Sequence, residues 1–143
     1  MIKLVLAADH GGFELKEIIK QFLNGLGGYE IIDLGTNSAE SVDYPEYGRQ
    51  AATAVASGQA ERGIIFCGTG IGISIAANKT AGIRAANCNS EYLAEMSRRH
   101  NDTNILALGG RLVEPELAKK IVKIWLDTPF DGGRHERRVK QIG

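Results

Sequence analysis

The chain has 143 residues, 43% hydrophobic and 24% charged; this is the length of one average domain with an ordinary core, and it excludes a second domain, a disordered chain and a membrane-spanning one. Lysine plus arginine number 17 and aspartate plus glutamate number 17, so no net field draws the chain to nucleic acid or to an anionic membrane, and any anion site must be local. The two cysteines, Cys67 and Cys88, stand apart in apolar contexts with no Cys-x-x-Cys, a usage that argues against a zinc knuckle or a disulfide framework and for a reducing compartment.

Met1 leads into the first predicted strand, Ile2 to Ala8. The run is too short for a signal sequence and is followed by Asp9-His10 where a cleavage site would need small residues, so a cytoplasmic location is expected. Leu15, Ile18, Ile19, Phe22, Leu23 and Leu26 then recur at helical spacing, with Lys16, Glu17, Lys20 and Gln21 opposite, and Gly27-Gly28 closes the helix. A strand over Tyr29 to Leu34 follows. The next helix opens near Asp43-Tyr44 with Pro45 in its first turn and stops at Ser57-Gly58. Gly63 to Cys67 reads as a strand, and a glycine-rich turn leads into a helix over Ile73 to Asn78. After a strand at Ile83 to Asn87, a helix opens at Ser90 with Tyr92, Leu93 and Met96 expected inward and Arg98, Arg99 and His100 at its end. A last strand, Asn104 to Leu108, precedes a helix from Pro115 to Thr128-Pro129 with Leu117, Ile121, Val122 and Trp125 as its buried stripe. The basic segment Arg134 to Lys140 adds a turn or two of helix.

This alternation predicts a single-domain, doubly wound (Rossmann-like) α/β fold over residues 1–143. It has a sheet of about five mostly parallel strands, helices on both faces and a C-terminal basic helix. In such sheets ligands bind beyond the carboxyl ends of the strands, which directs attention to Asp9-His10-Gly11-Gly12, Gly35-Thr36, Cys67 to Gly72, Asn87-Cys88-Asn89 and Gly109-Gly110-Arg111.

The segment Cys67-Gly68-Thr69-Gly70-Ile71-Gly72 carries the strongest chemical signal. Its glycines let backbone approach a ligand, and the unpaired N–H groups of a helix start bind an anion or a developing oxyanion. It is neither a Walker loop, lacking Gly-Lys-Ser/Thr, nor a dinucleotide fingerprint, since Ile73 stands where the third glycine belongs. A thiol at that helix start is favoured as thiolate, which points to a base or, alternatively, a nucleophile. His10, His100 and His135 have no metal-ligand spacing, and no metal is expected. Asn101-Asp102 beside His100 favours a polar site over a packing histidine. Arg134 and Arg138, one helical turn apart, make the fork that a phosphate monoester fits, against the alternative of a solvated basic tail.

Asp9-His10-Gly11, Asp43-Tyr44-Pro45, Cys67 through Ser74 with Ala76-Ala77-Asn78-Lys79, Gly82-Ile83-Arg84, His100-Asn101-Asp102-Thr103-Asn104, and Gly132-Gly133-Arg134-His135 with Arg138-Val139 together resemble ribose-5-phosphate isomerase type B. That family belongs to the sugar-phosphate isomerase group that also holds galactose-6-phosphate isomerase subunits, which the chain resembles less at His100 and in its arginine tail. The resemblance implies interconversion of D-ribose 5-phosphate and D-ribulose 5-phosphate, a step of the pentose phosphate pathway. The reaction would run through an enediolate without metal or organic cofactor, in a homodimer with active sites at the subunit interface, further pairing of dimers being left open. It further implies Cys67 as the base, assisted by Thr69, with the N–H groups of Gly68, Thr69, Gly70, Ile71 and Gly72 on the enediolate oxygen. His100 would open the sugar ring, Asp9 and Asn101 would lie near the sugar oxygens and Tyr44 at the pocket wall. His10, Arg111, Arg134 and Arg138 would hold the phosphate, some of them from the partner. Some relatives carry a glutamate base where this chain has Ile73, and its absence leaves Cys67 as the only base in the loop. The alternatives are an isomerase of another aldose phosphate such as allose 6-phosphate, a phosphate-sensing module without catalysis, and a cysteine-dependent hydrolase.

Overall fold

The computed structural model describes residues 1–143, and its elements alternate as the apolar runs require: β1 (Ile2–Ala8), α1 (Phe13–Leu26), β2 (Tyr29–Asp33), α2 (Tyr44–Ala56), β3 (Arg62–Cys67), α3 (Ile71–Ala77), β4 (Ala85–Asn87), α4 (Glu91–Asn101), β5 (Ile105–Gly109), α5 (Pro115–Asp127) and α6 (Arg134–Ile142). The strands form one sheet in the order β2-β1-β3-β5-β4, and all four pairings are parallel. Right-handed crossovers then dictate where each helix lies. The step from β1 to β2 and the step from β4 back to β5 run one way along the sheet, which puts α1 and α4 on one face. The steps from β2 to β3 and from β3 to β4 run the other way, which puts α2 and α3 on the opposite face.

Each face has its own core. Leu15, Ile19 and Leu23 of α1 and Ile121, Val122 and Trp125 of α5 cover one side of the sheet, while Ala51, Ala52, Ile73 and Ala77 of α2 and α3 cover the other. Small residues let α2 and α3 come close, since a side chain at Gly48 would lie 2.9 Å from the Ile73 carbonyl oxygen. No helix is long and apolar enough to cross a membrane.

The structure departs from the sequence expectations at several places, beyond one-residue shifts at the ends of β2, β3 and β5 and the exposure of Leu26. α3 starts two residues earlier than expected, at Ile71, and β4 is confined to Ala85–Asn87. Tyr92 and Leu93 are 69% and 51% exposed instead of inward. The side of α4 that packs is Ala94, Ser97 and Arg98, because the helix is tied down by polar groups at its end. Ser97 Oγ meets Thr103 Oγ1 at 3.0 Å, the Trp125 indole donates to that same hydroxyl at 2.9 Å, and Arg98 donates to the Thr103 carbonyl oxygen at 2.6 Å and to Asp102 at 2.9 Å. Lys16, expected on the polar side of α1, is fully buried. Its ammonium donates to both Asp33 oxygens and to Glu17, all at 2.8 Å, so the charge is matched instead of solvated. Burial pushes the Asp33 carboxyl up, but hydrogen bonds from Lys16, the Gly35 N–H and Lys20 outweigh it and hold the group below its ordinary value. The hydrogen bond to Asp33 and its charge in turn hold Lys20 above its ordinary value.

Candidate active site

The loop after β3 borders a crevice on both sides. The chain leaves β3 toward the α3 face, whereas it leaves the neighbouring β1 and β5 toward the α1 face, and ligand clefts form at such reversals. Cys67 ends β3 and is 5% exposed. Gly70 lies in the left-handed region at φ 83°, which turns its N–H back to donate to Cys67 Sγ at 3.1 Å. The Thr69 hydroxyl accepts from the Ile71 N–H at 3.1 Å and so caps α3. The N–H groups of Gly68, Thr69, Gly72 and Ile73 donate to no protein acceptor, leaving a row of free donors beside the thiol. Ile73 itself points into the second core with no exposed surface.

Asp9 and His10 rise from β1 on one side of this loop. Asp9 is 7% exposed and accepts from the Gly12 N–H at 3.1 Å. His10 Nδ1 accepts from the Val42 N–H at 3.1 Å, an arrangement that places the ring proton on Nε2, as a donor. On the other side, after β5, the Arg111 N–H donates to the Gly68 carbonyl oxygen at 3.1 Å. A side chain at Gly68 would lie 3.1 Å from an Arg111 guanidinium nitrogen, and one at Gly11 would lie 3.3 Å from its central carbon. The glycines therefore make room for a cation over the loop. The Tyr44 ring lies against Gly72, 2.7 Å from where a side chain would begin, and forms one wall of a cleft of about 550 Å³ with Asp9, His10, Val42 and Arg49. Cys88, the other thiol, belongs to the first core, where burial pushes it up against the pull of a hydrogen bond with Ser97.

His100, Asn101, Arg134 and Arg138 lie elsewhere. α4 leaves the carboxyl end of β4 and runs back for 11 residues, about 16 Å, so His100 and Asn101 sit at the amino end of the sheet beside the start of β5. The Asp131 N–H donates to the Arg99 carbonyl oxygen at 3.0 Å, which brings α6 to the same end. There His100 and His135 stack with centroids 4.3 Å apart and planes 11° apart, and Asp131 completes a group whose ligand atoms lie within 4.8 Å of one another. This clustering was not legible in the spacing of the histidines. Arg99 already donates to both Asp131 oxygens at 3.2 Å. Desolvation, then the charges of His100, Arg134 and Arg138, hold His135 below its ordinary value against the pull of Asp131. A field of that sign repels a cation and attracts an anion, so we assign no metal there. The site residues thus fall into two groups in one chain: Asp9, His10, Tyr44, Cys67 to Gly72 and Arg111 at the carboxyl end, and His100, Asn101, Arg134 and Arg138 at the amino end.

The model of the ribose/galactose isomerase family matches residues 4–142. The chain belongs to that family. A ribose/galactose isomerase of Escherichia coli named ribose-5-phosphate isomerase B is 54% identical over 99% of this chain and 95% of its own length. A family member from Pectobacterium atrosepticum named D-erythrulose-4-phosphate isomerase is 40% identical over 100% of this chain and 94% of its own. Among solved ribose/galactose isomerases, the ribose-5-phosphate isomerase B of Clostridium thermocellum superposes with a TM-score of 0.98 at 57% identity, covering 99% of this chain and 95% of that one. The type B enzyme of Trypanosoma brucei superposes at 0.95 and 44% identity, covering 99% and 97%. Val42, on the cleft wall, was not singled out by sequence reasoning, whereas Asn87 was noted only for its place at a strand end.

Proposed function

We propose that the chain interconverts D-ribose 5-phosphate and D-ribulose 5-phosphate. The observation that carries this reading is a thiol at the carboxyl end of the switch-point strand with free N–H donors beside it, in a chain more than half identical along its length to a ribose-5-phosphate isomerase B. In the reaction His100 donates a proton to the ring oxygen as its bond to C1 breaks, the anomeric hydroxyl gives up its proton to water, and the C1 aldehyde forms. The Cys67 thiolate then takes the proton from C2, and the electron pair of that bond forms the C1–C2 double bond while the carbonyl oxygen becomes the enediolate oxygen. The N–H groups of Gly68, Thr69 and Gly72 stabilise that charge, and they help because they are in place before it develops. The Thr69 hydroxyl assists proton movement between the two oxygens, and Cys67 returns its proton to C1. Asp9 and Asn101 hold sugar oxygens, and His10, Arg111, Arg134 and Arg138 take the phosphate.

The two groups of residues cannot meet within one chain, so the reading includes a homodimer in which the amino end of one subunit closes the carboxyl end of the other. Exposed apolar side chains fit such a partner: Ile71 and Ile75 on α3, Tyr92 and Leu93 on α4 and Leu112 after β5 are all more than half exposed, apolar surface that a lone chain leaves in water. The test is conversion of ribose 5-phosphate by the purified chain, followed by ketose absorbance with chelator present. No turnover overturns the reading. A covalent adduct on Cys67 seen by mass spectrometry during turnover would instead favour hydrolase chemistry, and binding without conversion would favour a phosphate sensor.

A further inference from the structure

The peptide between Thr69 and Gly70 has a partner on each side. Its N–H donates to Cys67 Sγ at 3.1 Å. Its carbonyl oxygen accepts from the Asn87 side-chain amide at 3.3 Å and from the Asn89 side-chain amide at 3.5 Å. Asn87 ends β4 and Asn89 lies in the turn after it; β4 is an edge strand next to β5 and not to β3, so both asparagines reach the thiol's loop across the end of β5. Asn89 is fixed in that orientation because its own oxygen accepts from the Gly109 N–H at 3.2 Å. Asn87 is fixed by a different circumstance. Its oxygen is buried without a hydrogen-bond partner, in the place where a Gly70 side chain would start, 2.5 Å away. Flipping the amide would set oxygen against the Thr69 carbonyl oxygen, so the unpartnered acceptor is the cost of keeping the donor where it is.

We propose that Asn87 and Asn89 are positioning residues for the Cys67 thiolate, acting through the Thr69–Gly70 peptide. Two donors on a carbonyl oxygen polarise that peptide and strengthen its N–H as a donor. An N–H donating to sulfur favours the charged form of the thiol, the form that takes a proton from carbon. The asparagines also lock the direction of the N–H, since a peptide held by its oxygen from two sides cannot rotate the Gly70 N–H away from Sγ. Neither asparagine touches the reacting carbons in this account. The inference rests on Cys67 being the base in the reading above, but its physical core, stabilisation of the thiolate, is measurable without turnover.

The experiment uses Asn87→Ala and Asn89→Ala in the full chain, each checked for folding by circular dichroism, with Cys88→Ser in the background so that Cys67 is the only thiol. Alkylation by iodoacetamide is followed from pH 6 to 10. In each variant the alkylation midpoint is expected to move up by about half a unit or more, equivalent to about threefold less thiolate at neutral pH. The acid limb of kcat/KM for ribose 5-phosphate should move with it while KM stays within twofold. An unchanged midpoint in both variants overturns the proposal. So does a raised KM with an unmoved midpoint, which would make the asparagines pocket walls. Should one variant fail to fold, the other decides alone. If the midpoint moves but Cys67→Ala retains full turnover, the relay stands and the assignment of Cys67 as base falls.

Discussion

Cys67 is nearly buried, yet a backbone N–H donates to it and a row of unused donors lies beside it. These surroundings suit the base proposed for Cys67, and they differ from those of Cys88, which sits among apolar side chains and is pushed up by burial. Cys67→Ala should cut turnover by about 10² to 10⁴, the usual loss for a general base, while phosphate-sugar binding measured by calorimetry stays near that of the parent. Near-normal turnover would remove Cys67 from the chemistry. Gly70 has the strictest requirement in the loop. Its φ of 83° and the 2.5 Å from a would-be side chain to Asn87 and 2.9 Å to the Leu108 carbonyl carbon mean that Gly70→Ala must shift backbone as well as a side chain. We expect a loss of about 1–2 kcal/mol in stability from the left-handed conformation alone, read by denaturant titration, and a further fall in kcat as the N–H swings off the sulfur. The glycine-thiol motif was legible in the sequence because it depends on neighbours in the chain. The roles of Val42 and Asn87 were not, because each meets its partner only when the sheet brings distant turns together.

The elements show the same division. Every strand and helix was legible from apolar periodicity and from glycine and proline punctuation, and errors arose where polar interactions decided the facing. α4 carries Tyr92 and Leu93 at spacing that reads as a core stripe, but Arg98, Ser97 and Thr103 anchor its other side to α5 and leave the stripe outward. Lys16 reads as a solvated lysine, and only the fold reveals that β2 delivers Asp33 to it. That pair predicts a strong effect for its size. Asp33→Asn leaves a fully buried ammonium with Glu17 alone, and removing one partner of a buried pair costs about 3–5 kcal/mol, measurable as a lower midpoint in urea. The pH dependence has a definite sign. The native carboxyl lies below its ordinary value of 3.8, so its contribution is complete above that value and is lost as pH falls through the depressed native one. The stability of the parent should therefore drop more steeply in that acid window than that of Asp33→Asn.

At the scale of the whole molecule, His100 and Cys67 lie a sheet length apart, so the proposed reaction, which uses both, calls for a second subunit. Sequence reasoning could name the residues of both groups but could not divide them, because which end of the sheet a helix terminus reaches depends on the direction of the crossovers. Arg138→Ala should raise KM for ribose 5-phosphate by about one to two decades, from about 1.5–3 kcal/mol per charge-assisted hydrogen bond, with little effect on an unphosphorylated pentose. Mixing Cys67→Ala with Arg138→Ala chains and allowing subunits to exchange sharpens the test. Half of the dimers in an equal mixture are then mixed and one site in each mixed dimer is intact, so at ribose 5-phosphate far below the raised KM about one quarter of parental activity should return. No recovery would mean that each site draws both residues from one chain. The strand order has a consequence for motion as well. Cys67 grows from β3, paired on both sides and buried along most of its length, whereas α6 buries no residue within its own chain. Hydrogen exchange should therefore be slowest through β3 and fastest through α6 in dilute protein, with α6 slowing as concentration rises. Each site would then pair the most rigid segment of one subunit, which moves the proton, with the most pliant segment of the other, which admits and releases the phosphate.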